Sequence, residues 1–171
     1  TYKTSGADSQ GMIYKEELTE INIPAGVSEG MQLKIREKGN HPPYSGIAGD
    51  LLVLIEEEDH TELIREGANL HYDLYISIPN AILGCDVEIP TINGKAKIKI
   101  QSGVQSGKIL RLKSKGITEI DSGRKGDLLV HINIWTPEKI TKDQKSFFEN
   151  HKSSKEFIPQ PKKQKSFFEK V

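Results

Sequence analysis

The chain has 171 residues, in which 24 Lys and Arg balance 24 Asp and Glu. No global field therefore draws it to nucleic acid or an anionic membrane; neither contact is required, and a partner is expected to be held by shape and apolar contact. Its one cysteine, Cys85, excludes an internal disulfide and a multi-cysteine metal site and agrees with a reducing cytoplasm. No stretch approaches the roughly 18 apolar residues of a membrane span, and the opening TYKTSGADSQG carries no signal-peptide hydrophobic region, so a soluble intracellular protein is expected.

Residues 1–12 are small and polar and are expected as a flexible lead-in. EELTEINI (Glu16 to Ile23) alternates Leu18, Glu20 and Asn22 with Thr19, Ile21 and Ile23, the period of a half-buried strand, until PAG breaks it. MQLKIRE alternates again, KGNHPPYSGIAG holds too much proline and glycine for regular structure, and DLLVLIEEE returns as a strand. The apolar series Leu70, Tyr72, Leu74, Ile76, Ile78 marks a longer strand, and NAILG suits a single helical turn. IPTINGKAKIKI reads as a hairpin with Asn93 and Gly94 in a type I′ turn. After Pro137 the spacing of Ile140, Phe147 and Phe148 is helical, with Thr136 or Thr141 able to cap. KKQKSFFEKV at the end echoes KDQKSFFENH, and both apolar patches need something to cover them.

The chain also repeats itself. IPAGVSEGMQLKIREKG (Ile23 to Gly39) aligns with IQSGVQSGKILRLKSKG (Ile100 to Gly116), and GDLLVLI from Gly49 aligns with GDLLVHI from Gly126, both at an offset of 77 without a gap. This is an internal duplication, and each copy is expected to form a small antiparallel sheet in which the GDLLV segment opens the inner strand. Gly26, Gly30, Gly103 and Gly107 suit turns at positive φ. Asp50 and Asp127 follow a glycine at a strand start, where a carboxylate is expected to bind loop amides rather than act as a catalytic acid.

No nucleophile, phosphate-binding or dinucleotide-binding motif occurs, and His41, His60, His71, His131 and His151 show no ligand spacing. HPPY at His41 to Tyr44 is expected as a turn, and Cys85 as a packed, inert thiol. The acidic run from Glu56 suits a solvated strand end. A binding protein without catalytic residues, metal or other cofactor is expected. Alternation nominates Leu52 and Leu54 as an apolar strand face for an extended peptide. A structural or adaptor module binding a folded partner or a glycan is the alternative, although 6% aromatic residues are few for a glycan surface.

Together, INIPAGVSEGMQLKIREKGN, the run from GDLLVLI to GKAKIKI, GVQSGKILRLKSKG and GDLLVHINIWTP resemble, in order and spacing, the carboxy-terminal substrate-binding region of the DnaJ-type co-chaperones. The resemblance covers Ile13 to about Asn150. It implies an all-β fold of two consecutive small antiparallel β-sandwich or barrel-like subdomains followed by a C-terminal helix. Residues 13–62 would be a partial first subdomain, 63–137 the second, and 138–171 a helical dimerisation segment and tail. It further implies binding of unfolded client polypeptide for delivery to a DnaK-type chaperone, with no enzymatic activity. Nothing in this sequence matches the family's J-domain, Gly-rich linker, zinc-binding CxxCxGxG insertion or first two strands. Of the client pocket, Thr19 and Val53 carry over, with Ile21 on the same side; Thr19 departs from the usual aliphatic residue, and Val53 lies on the face opposite Leu52 and Leu54. The family's two-fold contact carries over to Ile140, Phe147 and Phe148, implying a homodimer.

Overall fold

Hydrogen-bonded strand pairs with a period-two pattern dominate the computed structural model, which describes residues 1–8, 11–42 and 46–159. In chain order the elements are β1 (Tyr2–Asp8), β2 (Gly11–Glu17), β3 (Gln32–Ile35), β4 (Leu51–Leu54), β5 (Ile64–Glu66), β6 (Asn69–Ser77), α1 (Ile78–Leu83), β7 (Cys85–Thr91), β8 (Gly94–Ile100), β9 (Ile109–Leu112), β10 (Leu128–Trp135) and α2 (Lys142–His151). The fold is all-β with a C-terminal helix, and the chain divides into two compact units, Thr1–Ile134 and Trp135–Val171.

The core of the first unit, among the described residues, is built from the second copy of the duplication and the segment that precedes it, from Leu63 to Ile132. A four-stranded sheet in the order β5-β6-β10-β9 and the hairpin β7-β8 share one apolar cluster with α1. Leu70, Leu74 and Ile76 enter it from β6, as the alternation there requires, and Ala81 enters from α1. Ile89 and Ile100 come from the hairpin, and Leu128, Val130 and Ile132 of β10 are 0% exposed. Each such aliphatic side chain, fully buried, contributes about 1.5–3 kcal/mol. Ser77 starts α1 by accepting a hydrogen bond from the Asn80 amide, and Gly84 at φ 82° ends it. Cys85 packs half-buried against this core.

The first copy repeats the ladder without the cover. Leu33 pairs with Val53 and Ile35 with Leu51, matching Leu110 with Val130 and Leu112 with Leu128 at the same offset. Gly30 donates to the Ile55 carbonyl as Gly107 does to Ile132. Yet β3 and β4 form a two-stranded sheet. The GDLLV segment is an inner strand only in β10; in the first copy, contrary to expectation, β4 has no neighbour beyond β3 among the described residues.

Three other expectations need correction. Residues 1–12 are not a lead-in lacking structure: β1 and β2 form a hairpin from Tyr2 paired with Glu17 to Asp8 paired with Gly11. Polar side chains are compatible with a strand whose faces are largely solvated, and among the described side chains of this hairpin only Thr4 is buried. Conversely, the strand expected over Glu16 to Ile23 stops at Glu17; among the described residues no strand pairs with Leu18 to Ile23, and alternation without a ladder partner does not make a strand. The β7-β8 turn is displaced by one residue: Thr91 pairs with Gly94 across Ile92 and Asn93, and Gly94 itself takes φ 117°. The positive φ therefore falls on the glycine alone.

The two aspartates act as the sequence suggests. Asp50 Oδ1 accepts from the Glu37 amide at 3.2 Å and pairs with Lys34 at 2.6 Å. Asp127 Oδ1 accepts from the Ser114 amide at 2.8 Å and pairs with Arg111. Glu37 and Ser114 sit at φ 58° and 57°, so each carboxylate holds a non-glycine residue in the left-handed region, a conformation with an energetic cost. The Lys34 hydrogen bond and then the Glu37 amide hold the Asp50 carboxyl below its ordinary value. The Ser114 amide and then Arg111 do the same for Asp127.

In the second unit, Thr141 caps α2 reciprocally: its Oγ1 accepts from the Gln144 amide and the Gln144 side chain accepts from the Thr141 amide. Ile140 precedes this cap and is not on the helix, while Phe147 and Phe148 meet edge to face at 5.6 Å. The second SFF segment of the sequence, with Pro43 and Tyr44 of HPPY, lies outside the described residues.

Two outcomes follow from this asymmetry and these clamps. Ile132→Ala should cost about 2–5 kcal/mol in urea unfolding, whereas Ile55→Ala, at the matching but half-exposed position, should cost about 1 kcal/mol or less; equal costs would mean that the first copy is covered as the second is. Because both aspartate values are lowered in the native state, their stabilisation is complete above the ordinary value of about 3.9 and is lost as pH falls through the lower native values. Asp127→Asn should therefore be less stable at neutral pH and lose less on acidification, measured as thermal midpoints across pH; the same acid dependence in both proteins would show that the clamp does not contribute.

Candidate functional site

The duplication supplies an internal control for locating an unusual surface. In β3 and β4 the side chains of Leu33, Ile35, Leu51, Val53 and, just beyond, Ile55 fall on one face by strand alternation. All five are half-buried; in the second copy the counterparts of Leu33 and Ile35, Leu110 and Leu112, are half-buried too, whereas those of Leu51, Val53 and Ile55 are the fully buried Leu128, Val130 and Ile132. Leu52 and Leu54, on the opposite face, are 60% and 57% exposed. Both faces of a two-stranded apolar ladder are thus open to additional contact, and β4 has a free edge among the described residues. Main-chain donors and acceptors along such an edge accept an added strand, while the alternate side chains select what it carries.

Val53 lies at the centre of this ladder, opposite Leu33. Thr19 and Ile21 are half-buried in the segment after β2. Tyr2 donates its phenol proton to Glu17 at 3.3 Å. No ladder or hydrogen bond of the described residues joins Thr19 or Ile21 to Val53; the route between them runs through the hairpin and the loop before β4. His41 donates its amide to the Ser5 carbonyl at 2.9 Å, the Ser5 amide donates to Asn40 Oδ1 at 3.0 Å, and Gly49 donates to the Asn40 carbonyl at 3.0 Å. The β1-β2 hairpin is therefore anchored beside the start of β4, a connection the polar composition of residues 1–12 did not signal.

A second arrangement was invisible in the histidine spacing. His71 of β6 and His131 of β10 stack, with Nδ1 of the first 2.9 Å from Nε2 of the second, and Glu66 lies 2.7 Å from the other nitrogen of His71. Sixty residues separate the two rings, and only the adjacency of β6 and β10 brings them together. Among the described residues no group of three or more His, Cys, Asp or Glu is arranged to hold a metal ion. No helix of the described residues is long and apolar enough to cross a membrane.

A sequence profile described as the DnaJ C terminal domain matches residues 4–137. The chain is 48% identical over 174 aligned positions to the chaperone protein DnaJ of Bacteroides thetaiotaomicron, covering 98% of this chain and 43% of that protein. It is 47% identical to the protein of the same name from Bacteroides fragilis, covering 94% and 41%, and 37% identical to that of Salinibacter ruber, covering 95% and 42%. It thus spans about two fifths of the length of these curated relatives. The profile takes in the β1-β2 hairpin as well as both copies of the duplicated strands, and on this evidence the chain belongs to the DnaJ C-terminal domain family.

Proposed function

We propose that this chain is the polypeptide-binding part of a cytoplasmic DnaJ-type co-chaperone. It holds unfolded or extended segments without catalysing a reaction and passes them to a DnaK-type ATPase chaperone. The observation that carries this reading is the contrast between copies: Leu128, Val130 and Ile132 are sealed, and Leu51, Val53 and Ile55, at the same places in the repeat, are not. An apolar ladder with a free edge offers main-chain pairing to any extended chain and side-chain contact to apolar residues, a combination suited to unfolded polypeptide and indifferent to its exact sequence. Thr19, Ile21 and Val53 are the residues assigned to this contact. Residues 13–62 would then be a partial first client-binding subdomain, 63–137 the second, and 138–171 the dimerisation segment and tail.

The second unit supports the dimer. Its helix buries none of its ten residues, and Ile140, Phe147 and Phe148 are 43%, 50% and 39% exposed. A symmetric contact would cover these side chains on both protomers and place two client surfaces in one particle, so that avidity offsets modest single sites.

Loss of one buried aliphatic contact is worth about 1.5–3 kcal/mol, so Val53→Asp should weaken binding of a leucine-rich peptide by about tenfold or more and reduce suppression of aggregation of a denatured client. A folded Val53→Asp protein that binds that peptide as the parent does would place the client surface elsewhere. The full chain should scatter light as a dimer at tens of micromolar, and a Phe147→Ser, Phe148→Ser variant as a monomer; a monomeric parent or an unchanged variant would remove the helix from the interface.

A further inference from the structure

Within the first unit, a groove of about 1210 Å³ opens between the two copies of the duplication. Its walls come from Gly26, Ser28 and Glu29 of the first copy, from residues 57–60 and β5 in the segment between the copies, from Thr91 and Ile92 at the end of the β7-β8 hairpin, and from the turn at 117–121 within the second copy. The walls are locked together. Arg65 of β5 donates to the carbonyls of Val27 at 2.9 Å, Gly26 at 3.3 Å and Gly67 at 3.0 Å, and pairs with Glu57 at 3.0 Å. A Cβ at Gly26 would stand 2.0 Å from the Thr118 carbonyl oxygen, so only glycine allows this approach. His60 braces the 57–63 turn by accepting the Glu62 and Leu63 amides on Nδ1, each at 3.1 Å.

The lining combines three properties. Leu63 and Leu70 form part of a buried apolar floor, and Ile64, Ile92 and Ile120 are exposed within the groove. Six carboxylates line it against one guanidinium, and that guanidinium is already paired with Glu57. Glu58, Asp59 and Asp121 make no ion pair among the described residues, and the cations Arg124 and Lys125 of the neighbouring turn do not line the groove. Finally, β5 is an edge of the four-stranded sheet and contributes Ile64 and Arg65 to the lining, and its outer side has no ladder partner among the described residues.

We propose that this groove binds an extended polypeptide segment in which apolar residues alternate with Lys or Arg, added as a strand beside β5. The volume exceeds the roughly 300–1,000 Å³ of small-molecule sites. The free edge favours a main chain over a compact ligand, the isoleucines favour aliphatic side chains, and the unpaired carboxylates favour cations. None of these residues belongs to the β3-β4 face, and this site stands or falls separately from the client surface placed there.

The probe is a short fluorescein-labelled peptide of alternating lysine and leucine, with a control in which glutamate replaces lysine, titrated by anisotropy against the full chain. The lysine peptide should bind, weaken as salt is raised, and lose about tenfold or more in affinity with Glu58→Lys plus Asp121→Lys. Glu58→Gln plus Asp121→Asn should lose less, and Glu88→Lys, at an exposed acid outside the groove, should leave this affinity unchanged. Equal binding of the glutamate peptide, no binding of the lysine peptide, an equal loss through Glu88→Lys, or groove variants that change oligomeric state but not affinity would each overturn the proposal. Both substituted positions are exposed, and an unchanged thermal midpoint identifies variants that remain folded.

Discussion

Burial of one face of β10 is the constraint on which the rest of the first unit depends. Leu128, Val130 and Ile132 reach zero exposure because the β7-β8 hairpin and α1 share their apolar cluster. That burial fixes the register of β10 against β9, since a slip of one residue would turn His131 and Asn133 inward in place of valine and isoleucine. The same register sets Asp127 beside Ser114 and Arg111, and His131 beside His71. A single packed face thereby positions a turn clamp, a histidine pair and the sheet whose outer strand is β5.

The first copy keeps the local devices of the second but not this cover. Its ladder has the same register, its aspartate clamps the same kind of left-handed turn, and its glycines make the same backbone contacts. These features are short-range and survive wherever the sequence repeats. Covering a sheet is a long-range matter and requires another segment to arrive. The half-buried face of β3-β4 results from this difference, and an apolar face supported by an intact ladder meets the physical requirement for binding polypeptides of varied sequence: it is already ordered, so contact does not carry the entropy cost of building it.

What was legible in the sequence follows the same division. The strand of β6 was plain from Leu70, Tyr72, Leu74 and Ile76, because its one-sided burial writes a period of two into the chain. The duplication, the roles of Asp50 and Asp127, the turn before β7 and the Thr141 cap were legible because each is a local chemical requirement. The β1-β2 hairpin was hidden because it buries almost nothing, and Leu18 to Ile23 misled because alternation states only that a strand would be amphipathic, not that a partner is present. The approach of His71 to His131, the anchoring of residues 1–8 beside β4 and the acidic groove along β5 all depend on which distant segments become neighbours. Spacing along the chain carries no trace of them.

Matching side chains of the duplicated strands differ in access, and the proposed surface for polypeptide rests on this difference. Methyl-resolved nuclear magnetic resonance of the full chain with a soluble gadolinium chelate tests it most directly. Strong relaxation is expected of the Val53 and Ile55 methyls, little of Val130 and Ile132, and relief of the Val53 effect when a leucine-rich peptide is added. Equal protection of Val53 and Val130 in the free chain, or peptide-induced changes that bypass Val53, would contradict it.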